Sequence, residues 1–544
     1  MQKAFLISLR FSNIVGYNNV NMPMTHLGIL CLREVAKQYG LDVEVLDGDS
    51  QNIVDDEIID ILLEAKPQVI GFSPFQNTME RTIKIIKTIS VHSPKTIIIL
   101  GGVHASIMSS EIMHDIPEVD YIIKGEAESA FPNLLLKFFN NQTKDLSEID
   151  GLVYRSNGGI LENKPRIFTE LDSLPNLGLS QVLFKKEISL IASRGCVSNC
   201  SFCCAPAFMR LTENNKQRYQ SPEKVIQDIE EILKISNNGK LTINFNDDDF
   251  ISLSEKSIKR AEDIADYLLS KRISVEIGFS CQAKAIVKAG KEFWMKWKQA
   301  GLGTLFCGFE SGSDEDLKYY NKSSNLADAI EAYKILNECG IYFLIGFIMF
   351  NPYSDKERLV KNIDFLKYIG QLHQYRNTTN QINPFPATRI FHDLEKENLL
   401  TFEKPYLPKK IIYKNKFIEK VRSEICLYRD TQLKIDSFCF NFDYAIPNNK
   451  KTIEFDKTVL KLDNDLCSKY SYYKNLRAEK IEFFINKMLN GTTSDLSDIG
   501  KEMNNSLLKI HKEFVSNILI KVPAAGVKKP NKFSSILSLL KIRR

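Results

Sequence analysis

The 544-residue sequence lacks the features that mark membrane, secreted and nucleic-acid-binding proteins. It has no run of eighteen apolar residues, so no membrane-spanning helix is expected. The first ten residues turn charged after one short apolar run, which is not the pattern of a secretory signal. Acidic and basic residues are interspersed and leave a formal net charge of only +5, so no nucleic-acid surface is indicated.

Disulfide scaffolding is also not indicated, although the chain contains eleven cysteines. Most of them stand alone in apolar patterns, as Cys31, Cys307 and Cys339 do, which is typical of reduced core residues. We therefore expect a cytoplasmic protein. The length exceeds that of a single hydrophobic core and indicates two to four domains.

Three cysteines are clustered: Cys196, Cys200 and Cys203 are separated by gaps of three and two residues, and Cys204 follows directly. The short apolar run Ile188–Ala192 precedes them and is typical of a buried strand. The cysteines are therefore predicted on a loop that leaves a strand, where sites on β/α scaffolds collect.

Three thiolates on one loop suit an iron–sulfur cluster that keeps one iron open for a substrate or cofactor. A structural zinc site usually needs four ligands, and no second cysteine pair follows at a suitable distance. A disulfide between residues this close would stabilise so long a chain only slightly. Cys204 falls outside the pattern and is interpreted as a small apolar neighbour.

The CxxxCxxC spacing, with Phe202 just before the last cysteine, resembles the signature of the radical S-adenosylmethionine (SAM) enzymes. The resemblance implies that Cys196, Cys200 and Cys203 hold a [4Fe-4S] cluster and that SAM binds its open iron.

The first third of the chain alternates β-like apolar runs with helical patterns. The predicted strands are Ala4–Leu9, Val43–Leu46, Val69–Phe72, Thr96–Leu100 and Tyr121–Lys124. Helices are predicted near residues 27–36, 53–64, 79–89 and 131–138. Repeated β–α units with apolar strands indicate a parallel, doubly wound, Rossmann-like sheet, whose ligands bind at the carboxyl ends of the strands. No G-x-G-x-x-G follows the first strand, so a nicotinamide cofactor is not favoured.

Gly101–Ala105, Val119–Glu128 and Gly151–Arg155 together resemble the cobalamin-binding domain of a large group of radical SAM enzymes, and the resemblance covers roughly residues 1 to 170. It implies cobalamin contacts at Ser73, Gln76, Gly101, Gly102, His104, Gly125, Glu126 and Glu128. The D-x-H-x-x-G motif that supplies a histidine to cobalt is absent. His26 is interpreted as a helix-start residue.

The β/α alternation continues behind the cysteine loop and predicts a partial (β/α)6 barrel of the TIM-barrel kind. Ser221 and Pro222 predict a helix start. After the strand before the cysteines, the predicted strands are Leu241–Phe245, Val275–Phe279, Thr304–Gly308, Phe343–Phe347 and Thr378–Ile382.

Polar residues follow these strands. Asn246–Phe250 carries an acidic run that suits a cation or an ammonium group, or else a solvated helix-capping turn. The family resemblance implies SAM contacts at Phe202, Asp247, Asp248, Gln282, Glu310 and Ser311. Family members often carry an arginine after the third strand, where this sequence has Gln282 and Lys284 instead. No residue is singled out as a catalytic acid, base or nucleophile.

Four segments are predicted: a cobalamin-binding domain over 1–170, a connector over 171–187, the radical SAM barrel over 188–400, and a mostly helical cap with a basic tail over 401–544. The basic stretches Lys528–Lys532 and Lys541–Arg544 are interpreted as solvated, with a peptide- or carrier-binding role as the alternative.

The resemblance implies an enzyme that generates a 5′-deoxyadenosyl radical and methylates an unactivated carbon of a biosynthetic substrate, with methylcobalamin as the methyl donor. The implied partners are a small-molecule or peptide substrate and an electron donor such as flavodoxin or ferredoxin. Two alternatives stay open: a cobalamin-dependent cyclase or rearrangement enzyme that transfers no methyl group, and a non-catalytic corrinoid sensor. The intact cysteine loop and the Glu310 motif count against the sensor.

Overall fold

A computed structural model describes residues 3–11, 25–156, 158–212, 216–236, 241–455 and 458–519. The chain divides into two compact units. Unit 1 comprises residues 1–362 and 380–415, and unit 2 comprises residues 363–379 and 416–544. The chain thus leaves unit 1 after Asn362, runs through unit 2, returns at Asn380 and leaves again after Asn415.

The N-terminal part of unit 1 contains a seven-stranded sheet in the order β2-β1-β3-β4-β5-β6-β7. Its strands are β1 Ala4–Ser8, β2 Val43–Asp47, β3 Val69–Phe72, β4 Ile97–Leu100, β5 Tyr121–Ile123, β6 Leu152–Ser156 and β7 Gly159–Glu162. The first five strands pair in parallel, whereas β6 and β7 form an antiparallel edge. The predicted Rossmann-like sheet is confirmed, and this edge hairpin is an addition to the prediction.

Helices cover both faces of this sheet. They are α1 Leu27–Gln38, α2 Gly48–Gln51, α3 Asp55–Ala65, α4 Met79–His92, α5 Gly102–Ile107, α6 Ser109–Asp115 and α7 Ala130–Phe139. Alternate residues of β1 belong to different apolar clusters, since Phe5 and Ile7 pack in one and Ala4 and Leu6 in the other. This alternation is what a strand buried on both faces requires.

The central sheet of unit 1 is parallel and has the order β14-β13-β12-β11-β8. Its strands are β8 Glu187–Leu190, β11 Thr242–Phe245, β12 Glu276–Gln282, β13 Leu302–Glu310 and β14 Phe343–Phe347. A two-stranded antiparallel hairpin, β9 Ser193–Arg194 with β10 Arg218–Tyr219, flanks the cysteine loop.

The helices of this central part are α8 Cys204–Arg210, α9 Pro222–Ile235, α10 Glu255–Ser270, α11 Ala283–Ala300, α12 Asp314–Tyr319, α13 Leu326–Glu338 and α15 Arg389–Lys396. Helix α14, Lys356–Tyr368, begins in unit 1 and ends in unit 2. Helix α9 begins as predicted: Pro222 is its first residue, and the Ser221 hydroxyl accepts a hydrogen bond from Lys224 N–H at 3.1 Å. A short hairpin, β15 Leu400–Thr401 with β16 Lys410–Ile411, closes unit 1.

The partial-barrel organisation is confirmed, but the sixth strand is not formed as predicted. Over Thr378–Ile382 the structure has the end of a 3-10 turn, Tyr375–Thr378, and a single parallel bridge between Phe350 and Gln381. Asp436 in unit 2 accepts the backbone N–H groups of Tyr375 and Arg376 at 3.0 and 2.8 Å, which stabilises the start of this turn.

Unit 2 is mostly helical, as predicted for the C-terminal region. It contains α16 Lys416–Leu427, α17 Arg429–Ala445, α18 Asn464–Asn490 and α19 Leu496–Leu519, with a hairpin of β17 Thr452–Phe455 and β18 Thr458–Lys461. No helix in the described ranges is long and apolar enough to cross a membrane. The basic stretches at 528–532 and 541–544 lie outside the described residues, and the predicted domain boundaries stay a prediction.

Candidate active site

The cysteine loop is anchored at its start by a buried carboxylate from the next strand. Asp247, just after β11, accepts hydrogen bonds from Ala192 N–H at 2.8 Å and from the Ser193 hydroxyl at 2.6 Å. Burial raises the pKa of Asp247 to about 6, because a charged carboxylate loses hydration there. Asp247 therefore fixes the exit of β8.

A glycine then lets the loop turn toward its first cysteine. Gly195 has a φ of +87°, and a Cβ at this position would lie 2.8 Å from the side chain of Met209. Its N–H donates to Asp248 at 3.2 Å. Both aspartates predicted to contact SAM, Asp247 and Asp248, thus accept hydrogen bonds from the backbone around the start of the cysteine loop.

The three predicted cluster ligands lie on this loop, with Cys203 N–H donating to the Cys200 carbonyl at 3.2 Å. Burial raises the pKa of all three thiols, that of Cys196 to about 12. Within the described ranges, no three His, Cys, Asp or Glu side chains are placed to share a single metal ion. A cluster instead takes one thiolate on each of three irons, so three soft sulfur donors on one loop fit it.

A polar layer lies beside the loop and contains a residue that the sequence reasoning passed over. Asp249 lies 3.8 Å from Cys196 Sγ and accepts a hydrogen bond from Gln282 Nε2 at 2.6 Å. The Gln282 oxygen accepts from the hydroxyls of Ser198 at 2.9 Å and Ser323 at 2.7 Å. The acidic run was the available signal for Asp249, but the run does not say which of its carboxylates reaches the cysteines.

Glu310 occupies a strained position at the end of β13. Its φ is +67°, and the pairing of β13 with β14 shifts register there. A Cβ at Gly308 would lie 3.0 Å from its carboxylate, and one at Gly346 would lie 3.2 Å from both oxygens, so the two glycines make room for it. Lys322 forms an ion pair with Glu310 at 3.4 Å, and the two side chains are only 5% and 13% exposed.

Lys322 is the second polar residue that the site prediction missed. It follows α12 and carries a buried positive charge, and the Glu310 and Cys200 charges raise its pKa against the opposing effect of desolvation. Its signal in the sequence was weak, since a single lysine after an asparagine is common on protein surfaces.

The last two residues predicted to contact SAM pack within the protein. Ser311 is fully buried, and its hydroxyl donates to Asn362 at 2.8 Å. Phe202 meets the edge of the Tyr320 ring, with the centroids 5.6 Å apart.

The residues predicted to bind cobalamin lie in the segments that directly follow β3, β4 and β5, with Gly102 and His104 in helix α5. Gly102 has a φ of +82°, and a Cβ there would lie 2.5 Å from the Ser73 hydroxyl. The side-chain oxygens of Gln76 and Asn77 are buried without a hydrogen-bond partner among the described residues. Buried polar atoms of this kind are unusual unless a ligand or water completes them, so this edge of the sheet fits a bound polar cofactor.

Two histidines of this region are engaged by the protein. His26 caps α1 by accepting from Ile29 N–H at 3.3 Å, as predicted for a helix-start residue. His104 lies in α5, is 5% exposed, and bonds the Tyr406 carbonyl through Nε2 at 2.8 Å. Burial lowers the pKa of each histidine to about 4.

Gly125, Glu126 and Glu128 follow β5. The Gly125 N–H donates to the Ser106 hydroxyl at 3.0 Å. Both glutamates form ion pairs with arginines beside the cysteine loop, Glu126 with Arg218 and Glu128 with Arg194. Contact between cobalamin and these residues stays a prediction.

Two family models match the chain: the B12 binding domain over residues 15–135 and the Radical SAM superfamily over residues 190–366. An uncharacterized methyltransferase of Pyrococcus horikoshii is 25% identical over 383 residues, covering 69% of this chain and 79% of that protein. The anaerobic magnesium-protoporphyrin IX monomethyl ester cyclase of Synechocystis is 24% identical over 361 residues, covering 64% of this chain and 68% of that protein.

Among solved structures, the cobalamin-dependent S-adenosylmethionine radical enzyme OxsB with aqua-cobalamin bound superposes with a TM-score of 0.72. The match covers 99% of this chain and 83% of that one at 18% identity, so the likeness shows a shared fold.

Proposed function

The chain belongs to the radical SAM enzymes that carry a B12-binding domain, and from this premise we propose that it methylates an unactivated carbon of a biosynthetic substrate. The two matched domains imply a [4Fe-4S] cluster, SAM and cobalamin as its cofactors. When bound, these groups supply radical hydrogen abstraction and a transferable methyl group.

The chain's own residues would hold and orient those groups. Cys196, Cys200 and Cys203 would ligate the cluster. Asp247 and Asp248 would fix the backbone that carries the first of these cysteines, through the hydrogen bonds to Ala192, Ser193 and Gly195.

Glu310 and Lys322 supply the fixed charges of the proposed SAM site. A carboxylate and an ammonium group, both nearly buried, suit the amine and the carboxylate of a methionyl group. Because both side chains are already held in place before the ligand binds, the conformational entropy lost on binding is small.

The observation that carries the proposal is that the cysteine loop and the strand-end loops of the N-terminal sheet belong to one compact unit. Two cofactors that act on the same carbon must reach one cavity, and a shared unit favours that arrangement. Methyl transfer is the activity named for the Pyrococcus horikoshii relative, and cyclisation, the alternative, is the activity named for the Synechocystis relative.

Cofactor content is the first test. Protein reconstituted anaerobically with iron, sulfide and hydroxocobalamin should contain about four irons and one cobalt per chain. A Cys196/Cys200/Cys203 triple alanine variant should lose the iron and keep the cobalt. Iron without cobalt in the wild type would contradict the cobalamin assignment, and cobalt without iron would leave only a corrinoid carrier or sensor.

The reaction type is tested by quantifying S-adenosylhomocysteine and 5′-deoxyadenosine with candidate substrates. Methyl transfer predicts that the two products form in step, because one SAM donates the methyl group and another is cleaved. Formation of 5′-deoxyadenosine without S-adenosylhomocysteine would instead support cyclisation or rearrangement, the activity named for the Synechocystis relative.

The reaction also requires a substrate and a source of single electrons. We propose a small-molecule or peptide substrate and a low-potential carrier of the flavodoxin or ferredoxin kind. A reducing, cytoplasmic setting fits the many isolated cysteines.

A further inference from the structure

A buried network of two acids and two bases joins the loop after β5 to the hairpin beside the cysteine loop. We name the four residues Glu126, Glu128, Arg194 and Arg218 the acid–arginine bridge. Their side chains are 7–15% exposed, and the two charges of each sign balance. Glu126 and Glu128 lie at the carboxyl end of a parallel strand, whereas Arg194 and Arg218 lie on β9 and β10.

Both carboxylate oxygens of Glu126 are occupied by donors. One oxygen accepts from Arg218 Nη2 at 2.6 Å and faces Arg194 Nη1 at 3.4 Å. The other accepts from Arg218 Nη1 at 2.8 Å and from Phe168 N–H at 2.6 Å. A carboxylate with this many donors is held rigidly and has little capacity left for a ligand.

Glu128 forms an ion pair with Arg194, which stands two residues before the first cluster cysteine. The same carboxylate oxygen lies 3.8 Å from the buried thiol of Cys31 in α1. Its second oxygen is buried without a partner among the described residues. Glu128 could therefore either contact a ligand or position the cysteine loop, and an experiment on this residue can distinguish the two roles.

A second attachment lies on the other side of the cysteine loop. Helix α8 begins directly after Cys203 and packs against α5, which begins at Gly102. Thr212, just beyond α8, lies 3.6 Å from the place a Cβ on Gly125 would occupy. Both flanks of the cysteine loop are thus attached to strand-end loops of the N-terminal sheet.

We propose that the acid–arginine bridge sets the distance and orientation between the cysteine loop and the cobalamin-facing edge of the N-terminal sheet. In this assignment, which rests on the cofactors of the proposed function, Glu126 and Glu128 are positioning residues and do not contact the corrin. The bridge acts through Arg194, which stands two residues before Cys196 and whose guanidinium pairs with Glu126 and Glu128 in the loop after β5.

The test compares the wild type with Glu128→Gln, Arg194→Lys and the double variant, all reconstituted anaerobically with iron, sulfide and hydroxocobalamin. Glu162→Gln is the matched control, because Glu162 pairs with Lys124 next to the same loop but far less buried. Three quantities are measured without substrate: iron per chain, the hydroxocobalamin Kd from visible titration, and the EPR power saturation of cob(II)alamin in the presence of the reduced cluster.

A positioning role predicts that Glu128→Gln keeps its iron and a cobalamin Kd within about twofold of the wild type. The power at half-saturation of cob(II)alamin should change at least about twofold, because spin relaxation by the cluster depends steeply on the distance between the two centres. Arg194→Lys should change it at least as much, because Arg194 also faces Glu126. The double variant should change no further than Arg194→Lys, since that substitution already removes the contact with Glu128. Glu162→Gln should match the wild type.

A tenfold rise in the cobalamin Kd of Glu128→Gln, with unchanged power saturation, would overturn the inference and make Glu128 a cobalamin contact. Unchanged values of all three quantities would also overturn it, leaving an ordinary buried ion pair. Wild-type protein that takes up iron but no cobalamin would refute the proposed function, and the inference with it. The first two results refute the inference alone.

Discussion

The buried histidine of α5 offers a quantitative test, because its replacement by glutamine should make the N-terminal sheet less sensitive to acid. His104 donates from Nε2 to the Tyr406 carbonyl at 2.8 Å, since a carbonyl oxygen can only accept. Glutamine can donate to the same oxygen but does not titrate between pH 4 and 8. The substitution therefore removes the proton equilibrium while keeping the hydrogen bond.

The sign follows from the two pKa values. Burial, together with the nearby charge of Lys409, lowers the pKa of His104 from 6.5 to about 4 against the raising effect of its hydrogen bond to the Tyr406 carbonyl. Below pH 6.5 the unfolded chain takes up a proton that the folded chain does not, so the free energy of unfolding falls as the pH falls, and the loss levels off near pH 4. Between pH 7.5 and pH 5 the loss amounts to about 2 kcal/mol, because the slope approaches about 1.36 kcal/mol per pH unit below the unfolded pKa.

The opening free energy of β4 is the quantity to measure, by hydrogen–deuterium exchange of Ile97–Leu100 peptides between pH 7.5 and pH 5. His104→Gln should lose about 2 kcal/mol less than the wild type over this range. The other buried histidines are present in both proteins, so they cancel in the difference. His92→Gln, which changes an exposed residue of α4, should follow the wild type.

Equal losses in wild type and His104→Gln would refute the reasoning, because they would mean that His104 takes up a proton in the folded state as readily as in the unfolded chain. The same experiment bears on the sequence-based prediction for this residue. If His104 contacts cobalamin, hydroxocobalamin should protect β4 less in His104→Gln than in the wild type.

Three further outcomes are expected. Cys204→Ala should keep its full iron content, since this residue starts α8 outside the CxxxCxxC spacing, and loss of iron would make it a ligand. Gly308→Ala should weaken SAM binding by roughly tenfold with the cluster intact, because the added Cβ would lie 3.0 Å from the Glu310 carboxylate. Gly159→Ala is the control and should leave SAM binding unchanged, because its Cβ would lie 3.9 Å from the nearest neighbouring atom. Arg477→Met should lower the free energy of unfolding of unit 2 by about 3–5 kcal/mol in urea titrations, because its fully buried guanidinium pairs with Asp436. Lys487→Met breaks an exposed ion pair and should lower it by less than about 1 kcal/mol. Equal losses would show that the buried pair stabilises unit 2 no more than the exposed one.

Short-range patterns carried most of the successful sequence prediction. The β/α alternation follows from hydrophobic periodicity over a few residues, and the cysteine loop was recognised from spacing within eight residues. The cap at Ser221 and the helix-start role of His26 are equally local, and the structure confirms both.

The parts that the sequence did not predict depend on contacts between distant residues. The predicted sixth strand begins where a 3-10 turn ends, and the first two residues of that turn donate to Asp436, about sixty residues away. The pairing of Glu128 with Arg194 spans 66 residues. Which carboxylate of Asp247, Asp248 and Asp249 approaches Cys196 depends on the path of one loop, and no periodicity encodes that path.

The chain enters unit 2 twice, at residues 363–379 and again from residue 416, and this constrains where the protein can be truncated or recombined. A truncation after Asn415 would remove α16–α19 but leave behind residues 363–379, which belong to the same unit and include the fully buried Tyr375 and Thr378. Unit 2 therefore cannot be exchanged between proteins by a single crossover or a single fusion point. A chimera that borrows it from a relative has to carry both pieces together, and so does any evolutionary change that replaces it.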